Sequence, residues 1–224
     1  MTLAVKPRSG LLVVLSAPSG GGKTTVIRRL LQDQTLPLNY SISLTTRPRR
    51  SNEQEGVDYY FVDEPEFKRR ISAGEVIEYE EVHGHLYGTP RQPIECALKD
   101  GRILLFDIDV KGALAIRAAY PEQSLLIFLQ PPSLEELRRR LLDRGSEPIA
   151  IVNKRLQRVD MEMEMAGRFD DVIVNDQLER TIARVQEIVR KRFAVAAISS
   201  IPPQRQKRGV KGARYRKNNT GEVS

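Results

Sequence analysis

Cysteine occurs once in the 224 residues, at Cys96. One thiol cannot close an intrachain disulfide, and with only His83 and His85 beside it no Cys/His zinc cage can be assembled. Long apolar stretches are lacking too. A run such as Leu11-Leu12-Val13-Val14-Leu15 falls far short of the ~20 residues that span a bilayer, so no membrane partner is expected. No secretory apolar region precedes it, which sets the expectation of a cytoplasmic protein. No Ser/His/Asp or Cys/His constellation stands out, and no internal repeat is visible. What is present suits a folded protein: 40% hydrophobic and 29% charged residues exclude wholesale disorder. The length predicts one core with an inserted subdomain.

Charge is the unusual feature. A net +7 and a pI near 9.6 suggest a polyanionic partner. The excess is not spread evenly. Residues 200–224 hold Arg205, Lys207, Arg208, Lys211, Arg214, Arg216 and Lys217 against the single acid Glu222. Lys6 and Arg8 sit in a short N-terminal extension, 1–10, and the body 11–199 is left near neutrality, with 27 basic and 28 acidic residues. The last stretch has Pro202-Pro203, three glycines, no apolar periodicity and an Asn-Asn-Thr-Gly run near its end. It reads as a disordered basic tail: a solvated terminus, or an arm making weak contact with RNA.

Within the body, Leu11–Leu15 reads as a strand buried on both faces. A glycine-rich turn follows, and then Val26, Ile27, Leu30 and Leu31 recur with the spacing of a helix that buries one face. Between 39 and 92 the texture changes. Tyr40, Ile42 and Leu44 alternate with polar residues, Tyr59-Tyr60-Phe61-Val62 is strand-like, and Val76–Val82 mixes Ile77, Tyr79 and Val82 with three glutamates. This predicts a small, partly antiparallel, solvent-facing subdomain with a short helix around Pro65–Ile71. The core resumes at Arg102–Asp109, read as a buried strand ending in two carboxylates. A helix at Lys111–Tyr120, strands at Ser124–Leu129 and Val172–Val174, and a closing helix at Leu178–Ile198 continue a βαβ rhythm. Pro131–Arg158 is helical in pattern and crowded with arginine. The expected boundaries are a core of 11–38, 93–130 and 159–199, the insert 39–92, and a helical segment 131–158.

Ala17-Pro18-Ser19-Gly20-Gly21-Gly22-Lys23-Thr24-Thr25 links the first strand to the first helix and resembles a Walker A phosphate loop. Glycines let consecutive N–H groups turn inward around phosphate oxygens, and the helix N-terminus adds its positive end. Lys23 would reach the β- and γ-phosphates, and the Thr24 hydroxyl would ligate Mg²⁺. The leading glycine of the pattern is replaced by Ala17. A second anion site is suggested by Arg47, Arg49 and Arg50, three guanidinium groups in four residues stiffened by Pro48.

Taken in order, several motifs resemble those of guanylate kinases. They are Ser16–Gly20 with Gly22-Lys23-Thr24, Ser43–Arg50, Gly56–Val62, Glu75–Glu78, Tyr87-Gly88-Thr89, Leu105–Asp109 and Val172–Asp176, and they cover about 11–198. The resemblance implies an α/β fold: a P-loop parallel-sheet core with helices on both faces, an inserted mixed/antiparallel GMP-binding subdomain, and a helical lid at 131–158. It also implies an activity, transfer of the γ-phosphate of ATP to GMP (and to dGMP), supplying GDP for GTP synthesis in purine salvage. By the same resemblance Arg47, Arg50, Tyr59 and Tyr87 would hold the GMP phosphate, and Ser43, Glu78, Thr89 and Asp109 the guanine. Lid arginines Arg140, Arg144 and Arg155 would act with Lys23 and Arg47 in catalysis, Asp107 would orient Mg²⁺ through water, and Asn175 would border the adenine. Guanine chemistry agrees: its exocyclic N2 amino group needs an acceptor, which Glu78 and Asp109 supply, and hydroxyls at Ser43 and Thr89 can donate to O6. A monomer and a homodimer both remain open, as do a non-catalytic interaction module and a kinase for another monophosphate. His83 and His85 read as turn-flanking residues, and Cys96 as a small packing residue.

Overall fold

The computed structural model describes residues 10–33, 35–143 and 159–199. The expected basic tail lies outside the described residues, as do Arg144 and Arg155; Arg140 is described as part of a helix, without its side chain.

Strand β1 (Leu11–Ser16) sets the layout, because it is buried along its whole length. Its alternate side chains feed two separate cores. Leu11, Val13 and Leu15 pack with Val26, Ile27 and Leu30 of helix α1 (Lys23–Gln32) and with Val185, Ile188 and Val189 of the closing helix. Leu12 and Val14 point the other way, toward Ile94 and Ala97 of α3 (Arg91–Lys99) and toward Val110, Ala113 and Ile116 of α4 (Val110–Ala119). A strand covered by helices on both faces belongs in a parallel sheet. That is the arrangement found: five strands in the order β2-β7-β1-β8-β9, every pairing parallel. The others are β2 (Leu38–Tyr40), β7 (Ile103–Asp107), β8 (Ser124–Gln130) and β9 (Asp171–Val174). Helix α5 (Leu134–Asp143) follows β8, helical residues 159–164 (α6) and a 3₁₀ turn precede β9, and α7 (Leu178–Ser199) closes the fold.

A second sheet, in the order β4-β3-β6-β5, carries the insert. It comprises β3 (Ser43–Thr45), β4 (Tyr59–Phe61), β5 (Val76–Val82) and β6 (His85–Pro90), with α2 (Glu64–Ser72) between β4 and β5. Pairing is parallel between β3 and β4 and antiparallel elsewhere, so the sheet is mixed, as expected. Asp63 caps α2 by accepting the N–H of Glu66. The β5–β6 turn has His83 and Gly84 both at positive φ, 52° and 78°, which suits the twist of a tight hairpin. Among the described residues no cluster of His, Cys, Asp or Glu could hold a metal by itself, and no helix is long and apolar enough to cross a membrane.

Three expectations need correction, those for Tyr40, Asp109 and Cys96. Tyr40 belongs to the main sheet, opposite Leu105 of β7, because the N–H of Ser41 also bonds the Leu105 carbonyl and keeps the chain on that sheet for one more residue. Asp109 is not part of a strand: β7 ends at Asp107, and Asp109 is the N-cap of α4. In β5 a register irregularity between Val76 and Tyr79 breaks the alternation, leaving Tyr79 54% exposed while Glu78 is half-buried. Cys96 faces outward on α3, whose buried side is taken by Ile94 and Ala97.

Candidate active site

The phosphate loop leaves β1 at its carboxyl end, the edge of a parallel sheet where ligands bind. Gly20 and Gly22 both stand at φ 86°, a left-handed conformation that L side chains resist, and Gly22 is the N-cap of α1 with no side chain capping it. The first turn of α1 contains no acid, so its positive end is not neutralised from within. The Ala17 departure is accommodated locally: a Cβ built on Gly21 would lie 3.0 Å from the Ala17 methyl carbon, so the bare Gly21 leaves that methyl room.

Lys23 extends across this loop to the end of β7. Its ammonium lies 2.8 Å from Oδ1 of Asp107 and donates to the Ile108 carbonyl at 2.7 Å. Asp107 ends the strand next to β1 and Ile108 follows it directly, so the parallel pairing Leu15↔Asp107 carries both to the loop. Thr24 is the second residue of α1, and Asp107 ends the adjacent strand.

In the second sheet the arginine turn is tied down by a residue that composition does not single out. Glu53 accepts Nη2 of Arg47 at 2.7 Å through one oxygen and the backbone N–H of Arg50 at 2.9 Å through the other. A further donor of Arg47, Nη1, bonds the Pro48 carbonyl at 2.8 Å. The guanidinium stands over the rings of Tyr59 and Phe61, with centroids 5.4 and 5.9 Å away. Tyr87 packs edge-on against Tyr59. The hydrogen bond from Arg47, then the Arg50 N–H, hold the Glu53 carboxyl below its ordinary range, and the same pairing with Glu53 raises Arg47 further. A depressed carboxyl contributes to stability above its unfolded pKa and loses that contribution only in acid, so this brace stays formed through neutral pH. Arg50 keeps its side chain exposed. Burial pushes the phenol of Tyr59 up, and that of Tyr40 as well, the latter next to Asp107.

Where β5, β6 and α4 meet, the Glu78 carboxylate accepts a hydrogen bond from the Thr89 hydroxyl. Desolvation pushes Glu78 above the usual carboxylate range, the Thr89 bond works against the rise, and the charge of Asp109 adds to it. Asp109 uses Oδ1 to cap α4 through the Gly112 N–H at 2.8 Å. The structure therefore brings Glu78, Thr89 and Asp109 together as one group. Ser43 lies on β3, directly opposite Tyr59 in β4.

Residues 9–192 match the family described as guanylate kinase. The chain belongs to that family. It is 47% identical over 187 residues to the guanylate kinase of Chlorobium chlorochromatii, an alignment that covers 84% of this chain and 97% of the relative. It is 44% identical over 189 residues to that of Bacteroides thetaiotaomicron, covering 84% and 92% respectively. Among solved structures, the guanylate kinase from Anaplasma phagocytophilum superposes with a TM-score of 0.65 at 38% identity, covering 84% of this chain and 88% of that one. Phosphoryl transfer from ATP to GMP is the reaction of this family.

Asn175, expected to border the adenine, is only 7% exposed. Its Nδ2 donates to the Gly21 carbonyl at 2.8 Å, its Oδ1 accepts the Thr181 hydroxyl at 3.0 Å, and its own N–H bonds the Gln130 carbonyl at 2.7 Å. It is a strut between the phosphate loop, β8 and α7. Asn175→Ala would leave a buried carbonyl and a buried hydroxyl without a partner. The expected loss is about 2 kcal/mol of stability, read as a lower urea midpoint at unchanged slope. Thr181→Val should cost about half as much, and a midpoint unmoved by either change would remove the strut.

Arg139 pairs with Glu136 at 2.8 Å on the surface of α5.

Proposed function

We propose that this chain transfers the γ-phosphate of ATP to GMP, with ATP on the phosphate loop and GMP on the second sheet. The supporting observation is the Glu78 group. A half-buried carboxylate, hydrogen-bonded to Thr89 and close to Asp109, is an acceptor site suited to the N1 and N2 hydrogens of guanine. Adenine lacks the 2-amino group and would leave a buried carboxylate unpaired, a penalty that reaches ~10⁴-fold in comparable sites. The GMP phosphate would be held by Arg47, already oriented by Glu53, with Arg50, Tyr59 and Tyr87. Ser43 would add a hydroxyl on the guanine side.

No general base is required. A nucleoside monophosphate has its second pKa near 6, so the attacking oxygen is ionised at neutral pH. Catalysis is then positioning and charge neutralisation. Lys23 would leave or share its contacts with Asp107 and Ile108 to meet the β- and γ-phosphates, drawn by two adjacent anions in place of one. Thr24 would hold Mg²⁺ together with the triphosphate, and Asp107 would orient it through water. The fit is good, since a hydroxyl and a single carboxylate suit a hard cation that keeps most of its ligands as water and phosphate oxygens. Bound there, the ion would neutralise charge on the transferring group. The arginines of 131–158 (Arg140, Arg144 and Arg155) would cover the phosphates and keep water from hydrolysing ATP.

A coupled ADP-release assay with GMP, dGMP, AMP, CMP and UMP tests this reading. Turnover is expected with GMP and dGMP and at least 10³-fold lower kcat/KM with AMP. Absence of ADP with GMP, or equal rates with AMP, would overturn it.

A further inference from the structure

Gly112 has no role in the reading above, yet it stands against Glu78. It occupies the first turn of α4, where almost any other residue would be a better helix former. Its φ is not positive, so backbone conformation does not demand glycine. Its N–H bonds Asp109, a service that every residue except proline provides. What only glycine provides is space. An ideal Cβ at this position would lie 3.1 Å from Oε2 and 3.3 Å from Cδ of Glu78, and 3.3 Å from Cβ of Ile108. The other carboxylate oxygen, Oε1, is fixed by Thr89. The carboxylate of Glu78 is therefore clamped between a hydroxyl on β6 and a bare Cα on α4.

We propose that Gly112 is a positioning residue for base recognition: the missing side chain sets where the Glu78 carboxylate comes to rest, and with it the preference for a purine that carries a 2-amino group. The proposal rests on the reading of Glu78 as the guanine acceptor. A methyl group at 112 meets the far end of a flexible side chain, so the carboxylate yields before the backbone does. With Oε1 held at Thr89, a displacement of Oε2 by a few tenths of an ångström turns the carboxylate out of line with a two-point donor edge. Hydrogen-bond strength falls steeply with such misalignment. Stability moves in the other direction or not at all, because alanine favours the helix.

The experiment compares Gly112→Ala with the parent, using GMP and IMP, which keeps O6 and N1–H but lacks the 2-amino group. Gly112→Ala is expected to raise the GMP KM about tenfold, narrow the GMP/IMP ratio of kcat/KM by a similar factor, and leave kcat and the ATP KM within about threefold. Its melting temperature should equal or exceed the parent's. Gly167→Ala is the control, since a Cβ there meets nothing within 4 Å, and it should change none of these values. In a Glu78→Gln background, Gly112→Ala should add little, because its effect acts through that carboxylate. If Gly112→Ala leaves the GMP KM and the GMP/IMP ratio untouched while Glu78→Gln alters both, the inference about Gly112 fails and the guanine reading stands. A fall in kcat and melting temperature together with a rise in the ATP KM would make Gly112 merely structural. If Glu78→Gln itself leaves the ratio unchanged, the guanine reading fails first and takes the proposal with it.

Discussion

Lys23→Ala should reduce kcat by about 10³-fold while GMP still binds, as followed by calorimetry. The magnitude is that of removing one preorganised cation from a phosphoryl-transfer transition state, where positioning and charge supply nearly all of the rate. Lys23 is 18% exposed at its side chain and bridges the first helical residue of the phosphate loop to the end of β7. The proposed GMP site lies on the other sheet, where Arg47 is tied to Glu53 and Thr89 to Glu78, whereas Lys23 pairs with Asp107 and the Ile108 carbonyl. The two binding events should therefore separate. Loss of the ion pair leaves Asp107 without its cation but still 21% exposed, so the stability cost should stay near 1 kcal/mol. A mutant that loses GMP binding and keeps turnover at saturating GMP would move Lys23 out of the ATP side altogether.

The separation follows from the chain order. Among the described residues, the groups that bond the phosphate loop and its lysine from other elements lie at the carboxyl ends of parallel strands: Asp107 at the end of β7, Ile108 just after it, and Asn175 after β9, itself bonded to Gln130 at the end of β8. Sequence patterns report such strands well, because burial on both faces makes Leu11–Leu15 and Leu104–Phe106 apolar without interruption. The loop itself was legible for a chemical reason, since few residue types can place consecutive N–H groups around phosphate. Contacts between distant segments were not. Asn175 and Gly21 are separated by 154 positions, and nothing near Asn175 distinguishes a strut from a turn residue. Glu53 is hidden in a polar stretch with Glu55 close by, and only the folded turn shows which carboxylate turns inward to Arg47. Asp109 looked like the end of a strand because Ile108 prolongs the apolar run of β7 past Asp107. The cap it provides to α4 competes with strand continuation and wins. In β5 the exposure of Tyr79 was not legible, because period-two reading assumes an unbroken ladder and the irregularity after Val76 breaks it.

Arg47→Ala should lower kcat/KM for GMP by about 10³-fold with little change in the ATP KM, and Arg47→Lys should recover little of the loss. The argument rests on what the guanidinium does before any substrate arrives. One nitrogen is committed to Glu53 at 2.7 Å and another to the Pro48 carbonyl at 2.8 Å, so the group is held in one orientation over Tyr59 and Phe61. A planar fork fixed on one edge can present its remaining donors to a phosphate without further ordering cost. Two charge-assisted hydrogen bonds at ~1.5–3 kcal/mol each give the stated factor. Lysine has one ammonium and cannot satisfy Glu53 and a phosphate in the same geometry. Removal of the guanidinium also leaves Glu53, 12% exposed, as an uncompensated anion facing the incoming one. The double variant Arg47→Ala/Glu53→Gln should therefore bind GMP better than Arg47→Ala alone, a reversal that simple loss of a contact would not produce. Steady-state kinetics with each substrate varied in turn check the whole set. A rise in ATP KM with an unchanged GMP KM would assign Arg47 to the other nucleotide, and a double variant no better than the single one would show that Glu53 acts only as a structural tie.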